Sequence, residues 1–273
     1  MLELLKYIII GSVQGLAEFL PISSSGHLIL FGKILGISGT DMTLEILVHF
    51  GTLVAIFFAY KKDILELIKV TPKLPSYLTN KASLSLEEKT NIQLIINIVL
   101  ATIPAVIIGL SFKDSLEHNR SNLMVALALL FTSGFLFSIK FLKDSNESIT
   151  LKKAILIGFA QAFAIIPGIS RSGATICMAL WLGIDREKSA RFSFLMSIPV
   201  ILGATILKLK EMFDQEISTH QLLLYLVATA TAAITGYLSI LFIKYLIKQN
   251  RFHYFAIYCA IVGTITLIFF RNS

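Results

Sequence analysis

Apolar residues fall in long runs along this chain, a distribution that the scattered core positions of a soluble fold would not produce. A helix that crosses a bilayer needs about 20 mostly apolar residues, within a range of roughly 17 to 25. Six stretches meet that requirement, at about 44–60, 92–112, 123–142, 192–209, 222–247 and 254–270. Two further regions, 1–36 and 154–184, are apolar but split by a Pro/Gly/Ser cluster. The first cluster runs Pro21-Ile22-Ser23-Ser24-Ser25-Gly26, the second Pro167-Gly168-Ile169-Ser170-Arg171-Ser172-Gly173. The arms beside each cluster are mostly too short to span. Non-helical backbone survives at membrane depth only where protein or a wet cavity satisfies it. The pattern therefore predicts an all-α, polytopic membrane protein with six transmembrane helices and two re-entrant helical hairpins.

Composition agrees with that pattern. Of 273 residues, 55% are hydrophobic and 15% charged, and the mean hydropathy is +0.78. Soluble domains carry roughly 25% charged residues, so a soluble enzyme, a disordered tail and a disulfide scaffold are excluded. The excess of 24 Lys+Arg over 17 Asp+Glu gives a net charge of +7. In water, a pI near 9.3 would suggest nucleic acid. Beside long apolar runs it points instead to basic loops held against the cytoplasmic leaflet. Cys177 and Cys259 both lie inside apolar segments and read as small core residues. The N-terminus lacks a basic stretch followed by a small-residue cleavage site, and Glu18 interrupts its apolar run, so it does not read as a signal peptide.

The two broken regions resemble each other. A shift of 147 positions lays Gln14 on Gln161, Ala17 on Ala164, Ile22 on Ile169, and Ser23, Ser25 and Gly26 on Ser170, Ser172 and Gly173. This predicts an internal duplication within a single membrane domain, 1–273, with halves of approximately 1–142 and 143–273. Three spans per half would insert the second half upside down. The basic residues fit that arrangement: loops 61–91, 140–153, 185–191 and 244–253 hold sixteen Lys and Arg, while the opposite side holds seven. The positive-inside rule then places the sixteen in the cytoplasm and both termini outside. An inverted repeat carries its site near the midplane, between the halves.

Ionisable groups at membrane depth are costly and mark function by default. Gln14 and Glu18, four residues apart, share a face of the first arm. His27 follows one tip and Arg171 sits in the other. Glycines allow close backbone approach, and a helix N-terminus after each break offers unpaired N–H groups to phosphate. Arginine adds a planar fork for phosphate oxygens. A carboxylate, an imidazole and a guanidinium around such tips suit a phosphorylated, diphosphate-bearing lipid, with Glu18 able to hold a divalent cation.

Two of these segments, QGLAEFLPISSSGHL (14–28) and PGISRSGAT (167–175), resemble the signature motifs of the undecaprenyl-diphosphate phosphatases, also called bacitracin-resistance proteins. LVHFGTLVAIFFAYKKD (47–63) is also similar, and the likeness extends over nearly the whole chain. The resemblance implies a multi-pass enzyme of the bacterial inner membrane, with its site facing the periplasmic side. It implies hydrolysis of undecaprenyl diphosphate to the monophosphate carrier lipid, with Mg²⁺ or Ca²⁺ as cofactor. By position, the acidic motif falls on Gln14 and Glu18, the serine and histidine on Ser24 and His27, and the essential arginine on Arg171. Gln14 stands where the family often has Glu, so the expected cation ligands are Glu18, the Gln14 carbonyl, diphosphate oxygens and water. Glu18, Ser24, His27 and Arg171 are the expected catalytic residues. Gln14, Ser23, Ser25, Gly26, Ser170, Ser172, Gly173 and Thr175 are the expected substrate-binding residues. The nucleophile stays open among Ser24, His27 and water. Expected partners are the polyprenyl diphosphate lipid and membrane lipids, with a homodimer as an option and no nucleic acid.

Other features have plainer readings. His49, within the span 44–60, serves either structural hydrogen bonding or the site. Pro104 and Pro199 read as helix kinks, and the charged stretch 61–91 as a solvated cytoplasmic connection. The chief rival function is a transporter or flippase for a polyprenyl phosphate lipid, since inverted repeats with broken helices are also a transporter architecture.

Overall fold

A computed structural model describes residues 1–37, 42–79, 84–118, 121–143, 145–213 and 217–269. Among the described residues the chain is mostly helical. One isolated parallel bridge, Glu147 to Ile184, accompanies the helices. In chain order these are α1 (Leu2–Phe19), α2 (Ser24–Leu35), α3 (Met42–Ala59), α4 (Lys61–Val70), α5 (Leu74–Leu78), α6 (Leu86–His118), α7 (Asn122–Ser138), α8 (Leu151–Phe163), α9 (Arg171–Trp181), α10 (Arg186–Phe213), α11 (Thr219–Lys248) and α12 (Phe255–Phe269).

Among the described residues, five segments are long and apolar enough to cross a membrane: Leu86–Phe112, Asn122–Phe141, Arg186–Leu207, Thr219–Lys248 and Phe252–Phe269. A sixth is reached if Thr43–Ala59 is joined to Lys61–Leu78, which departs from it by 83°. The protein is thus a multi-pass membrane protein. The stretch expected as a solvated connection after residue 60 is in fact helical. Ile64, Leu67 and Ile68 recur at helical spacing among Lys61, Lys62, Glu66 and Lys69, so α4 is amphipathic. Its Ile64 and Val70 are buried while Leu65 and Ile68 stay exposed.

Both regions split by Pro/Gly/Ser clusters break where the sequence expects. The residue before a proline is pushed out of the helical region, and Leu20, ahead of Pro21, is extended at φ −66° and ψ 142°. α2 restarts three residues later, after Ser23. The second break lies between α8 and α9 and turns through Gly168 at φ +98°. A Cβ on Gly168 would stand 2.7 Å from the Ala128 Cβ and 2.8 Å from the Val125 carbonyl oxygen, so this turn presses directly against α7.

The arms are anchored by backbone-to-backbone contact. α1 packs on α11, and α8 on α6. A Cβ on Gly11 would lie 2.2 Å from the Ala228 carbonyl oxygen, and one on Gly158 would lie 2.4 Å from that of Ala101. Lipid tails are as apolar as leucine, so membrane helices gain by close packing over small residues. Cys177 and Cys259 are buried and free, as small core residues.

Candidate functional site

The two breaks meet. A Cβ on Gly26 would approach Gly168 Cα to 3.3 Å, and one on Gly173 would approach Pro21 Cβ to 3.2 Å. Hydrogen bonds link them: Gly168 N–H donates to Ser25 Oγ (3.4 Å) and Ser172 Oγ–H to the Leu20 carbonyl (3.2 Å). Thr132 of α7 joins in, donating to the Gly168 carbonyl (3.4 Å) and accepting from Ser170 N–H (3.3 Å).

Glu18, at the end of α1, is the hub of this junction and is buried. Arg171 Nη2, at the first position of α9, donates to Glu18 Oε1 as a part-buried ion pair. Glu18 Oε2 accepts from Ser24 Oγ–H at 2.7 Å and from Gln14 Nε2 at 3.1 Å. The i, i+4 spacing of Gln14 and Glu18 explains that last contact. The imidazole beside Glu18 belongs to His49, whose Nε2 lies 3.7 Å from Oε2.

His27, the imidazole expected there, is engaged elsewhere. Its Nδ1 lies 2.9 Å from the Ser23 carbonyl oxygen, which can only accept, and its Nε2 lies 2.8 Å from Tyr258 Oη of α12. In the neutral ring, Nδ1 therefore donates and Nε2 accepts from the tyrosine. The His27 ring also stacks on Tyr258, at 5.6 Å between centroids and 16° between planes. Ser23 itself sits at φ 71° and ψ 99°, a strained conformation for a residue with a Cβ.

The remaining expected binding residues are mostly spent on the backbone. Ser23 Oγ caps α2 by accepting from Gly26 N–H (3.3 Å), and Ser170 Oγ caps α9 by accepting from Gly173 N–H (3.1 Å). Thr175 Oγ1 donates to the Arg171 carbonyl (2.8 Å) and pairs with Ser193 Oγ (2.6 Å). After these caps, the first-turn N–H groups of Ser24 and Ser25 in α2, and of Arg171 and Ser172 in α9, have no preceding turn to bond. They face anions favourably at the positive ends of both helices.

Among the described residues, two polar atoms at the hub are buried without a partner: Arg171 Nη1 and Gln14 Oε1. Such atoms cost energy unless something fills them. The first is a cationic donor, suited to an anion, and the second a carbonyl oxygen, suited to a cation or a donor. Sequence reasoning missed the Tyr258 and Thr132 contacts and left His49 undecided; no motif flags a partner so far away in the chain.

Comparison with known proteins points to one family. The family profile described as Bacitracin resistance protein BacA matches residues 7–265. Undecaprenyl-diphosphatase 2 of Bacillus thuringiensis (strain Al Hakam) is 39% identical over 269 residues, covering 97% of each chain. Undecaprenyl-diphosphatase of Methanosphaera stadtmanae is 40% identical over 277 residues, and that of Halothermothrix orenii 37% over 272, each covering 98% of both chains. The match runs over nearly the full length, and the chain belongs to the bacitracin resistance protein BacA family.

Proposed function

We propose that this protein hydrolyses undecaprenyl diphosphate to undecaprenyl phosphate and inorganic phosphate, at the junction of the two helix breaks. The observation that carries the reading is the part-buried Glu18–Arg171 ion pair joining those breaks, in a chain whose relatives are named for this activity.

Arg171 is the clamp. Its Nη2 holds Glu18 while its unpartnered Nη1 is free to take a diphosphate oxygen, in the forked manner that suits guanidinium to phosphate. The first-turn N–H groups of α2 and α9 add fixed dipoles toward the same charge. Ser24 is the nucleophile: its hydroxyl already donates to Glu18 at 2.7 Å, whereas both nitrogens of His27 are engaged. As the Ser24 Oγ–phosphorus bond forms, the bond from the terminal phosphorus to the bridging oxygen breaks. The lipid monophosphate departs with that electron pair, and the Ser24 proton passes to Glu18. Glu18 gives that proton to the departing lipid phosphate. Water then attacks the phosphoserine phosphorus and loses one proton to Glu18, which passes it to Ser24 Oγ as the Oγ–phosphorus bond breaks. Phosphate leaves and the hydroxyl is restored. His27, braced by Tyr258, holds the strained Ser23 turn that aims Ser24.

A divalent cation fits this chemistry. Glu18 and the orphaned Gln14 carbonyl are hard oxygen donors, and Mg²⁺ is commonly held by one or two carboxylates plus substrate phosphates. When bound, it neutralises charge developing on the phosphoryl oxygens.

The architecture we propose has two re-entrant hairpins, α1–α2 and α8–α9, in an inverted repeat, with both termini and the site's opening on the outer face of the plasma membrane. Several pairings support it. Gly11 meets Ala228 on α11 as Gly158, 147 positions on, meets Ala101 on α6. Ser23 caps Gly26 as Ser170 caps Gly173. The helices that a twofold axis would pair, α7 with α12 and α3 with α10, are in contact.

The test is phosphate release from undecaprenyl diphosphate by purified protein in detergent, where transport has no meaning. Release with Mg²⁺ that stops on adding EDTA is the expected result, and a folded wild type that releases no phosphate overturns the proposal. Acid quenching with terminally labelled substrate should trap phosphoserine at Ser24; label on His27 instead would reassign the nucleophile.

A further inference from the structure

His49 makes a contact that the reaction above leaves unused. Its Nδ1 lies 2.7 Å from the Glu45 carbonyl oxygen, an atom that only accepts, so Nδ1 carries the ring proton. In the neutral ring Nε2 is then an acceptor, 3.7 Å from Glu18 Oε2. Two acceptors facing each other repel unless a positive group lies between them. Beside them, Gln14 gives its amide N–H to the same Oε2 and leaves Oε1 buried and unpartnered, on a side chain that is 0% exposed. An imidazole nitrogen and a carboxylate oxygen thus face each other, and the side chain that bonds the same carboxylate oxygen carries a buried carbonyl without a partner among the described residues.

That set has the form of a cation site with a nitrogen ligand. Metal-bound imidazoles almost always donate their other N–H to a carbonyl or carboxylate, which fixes the ring; Glu45 does this for His49. Two ligands each about 2.1 Å from one ion stand roughly 3 to 3.7 Å apart, the range in which His49 and Glu18 lie. Among the described residues no three His, Cys, Asp or Glu side chains cluster as a metal site, so the amide carbonyl of Gln14 completes the protein's share.

We infer that His49 is a direct ligand of the divalent cation, together with Glu18 and Gln14, and that its nitrogen favours first-row ions such as Mn²⁺ over Ca²⁺. Imidazole suits transition metals, while Ca²⁺ takes oxygen. The inference rests on the cation reading above and adds the nitrogen ligand which that reading lacks.

The test uses Mn²⁺ alone, titrated into the purified full-length protein in detergent and followed by electron paramagnetic resonance. Wild type should bind Mn²⁺ more tightly than Ca²⁺ in competition, with pulsed spectra showing ¹⁴N coupling from a bound imidazole. His49→Gln should abolish that coupling and weaken Mn²⁺ binding by about tenfold or more. His49→Asp, which supplies an oxygen ligand, should recover binding with the preference moved toward Ca²⁺, separating ligation from misfolding. If Mn²⁺ binding is lost in Glu18→Gln but unchanged in His49→Gln, with no ¹⁴N coupling in wild type, His49 is an ion-pair partner of Glu18. The inference then fails while the cation reading stands. No saturable Mn²⁺ binding in wild type overturns both.

Discussion

At the scale of single residues, the site depends on side chains that share partners. Glu18 is held by Arg171, Ser24 and Gln14 together, so removing one leaves the others with unmatched charge or donors. Arg171→Ala should lower the rate of phosphate release on the order of 10³-fold or more, the scale at which arginines act in phosphoryl transfer. Tyr258→Phe is subtler. It keeps the ring stacked on His27 and removes the O–H that meets Nε2. A net hydrogen bond contributes about 0.5 to 1.5 kcal/mol, so kcat should fall about two- to tenfold with KM unchanged, as read by steady-state phosphate release. An unchanged kcat would remove Tyr258 from the positioning of Ser24. Gln14, Glu18 and Arg171 were legible in the sequence because charge and amide groups stand out within apolar runs. His49 was not settled by it, since its nearness to Glu18 depends on how α3 packs against α1, and no local pattern reports that.

At the scale of elements, glycines decide how closely the arms sit. α8 meets α6 where Gly158 faces the Ala101 carbonyl, with room for a Cβ only at 2.4 Å. Gly158→Leu must push the helices apart, and overpacking of this kind typically costs about 1 to 3 kcal/mol or more. A lowered Tm in detergent, together with reduced activity from a displaced α9, is expected; an unchanged Tm would contradict the close contact. Both helix breaks were readable from their Pro/Gly/Ser clusters, because proline and a positive-φ glycine act locally. α4 was not, because its many lysines suggested a solvated stretch. Its apolar residues keep helical spacing all the same, and burial of Ile64 and Val70 holds one side of it against the protein. Tertiary contact outweighed the local impression of polarity.

For the whole molecule, we propose that two oppositely inserted halves bring Glu18 and Arg171 together. The apolar runs made the membrane class plain, while the orientation expected from the basic loops is a proposal for labelling to test. The sequence could not show which polar groups would touch, since Glu18 and Arg171 are 153 positions apart and meet only when both halves are folded. Topology can be checked by labelling with a membrane-impermeant thiol reagent on intact cells, because the native Cys177 and Cys259 are buried. Glu3→Cys should react, while Lys62→Cys and Lys188→Cys, also exposed positions, should react only after the membrane is opened. The reverse pattern would turn the protein over. The most direct measurement of the central claim is single-turnover phosphate release from undecaprenyl diphosphate by wild type, Glu18→Gln and Arg171→Ala, each confirmed as folded. The account predicts rapid release by wild type and loss of release in both variants. Near wild-type release in either variant would contradict it.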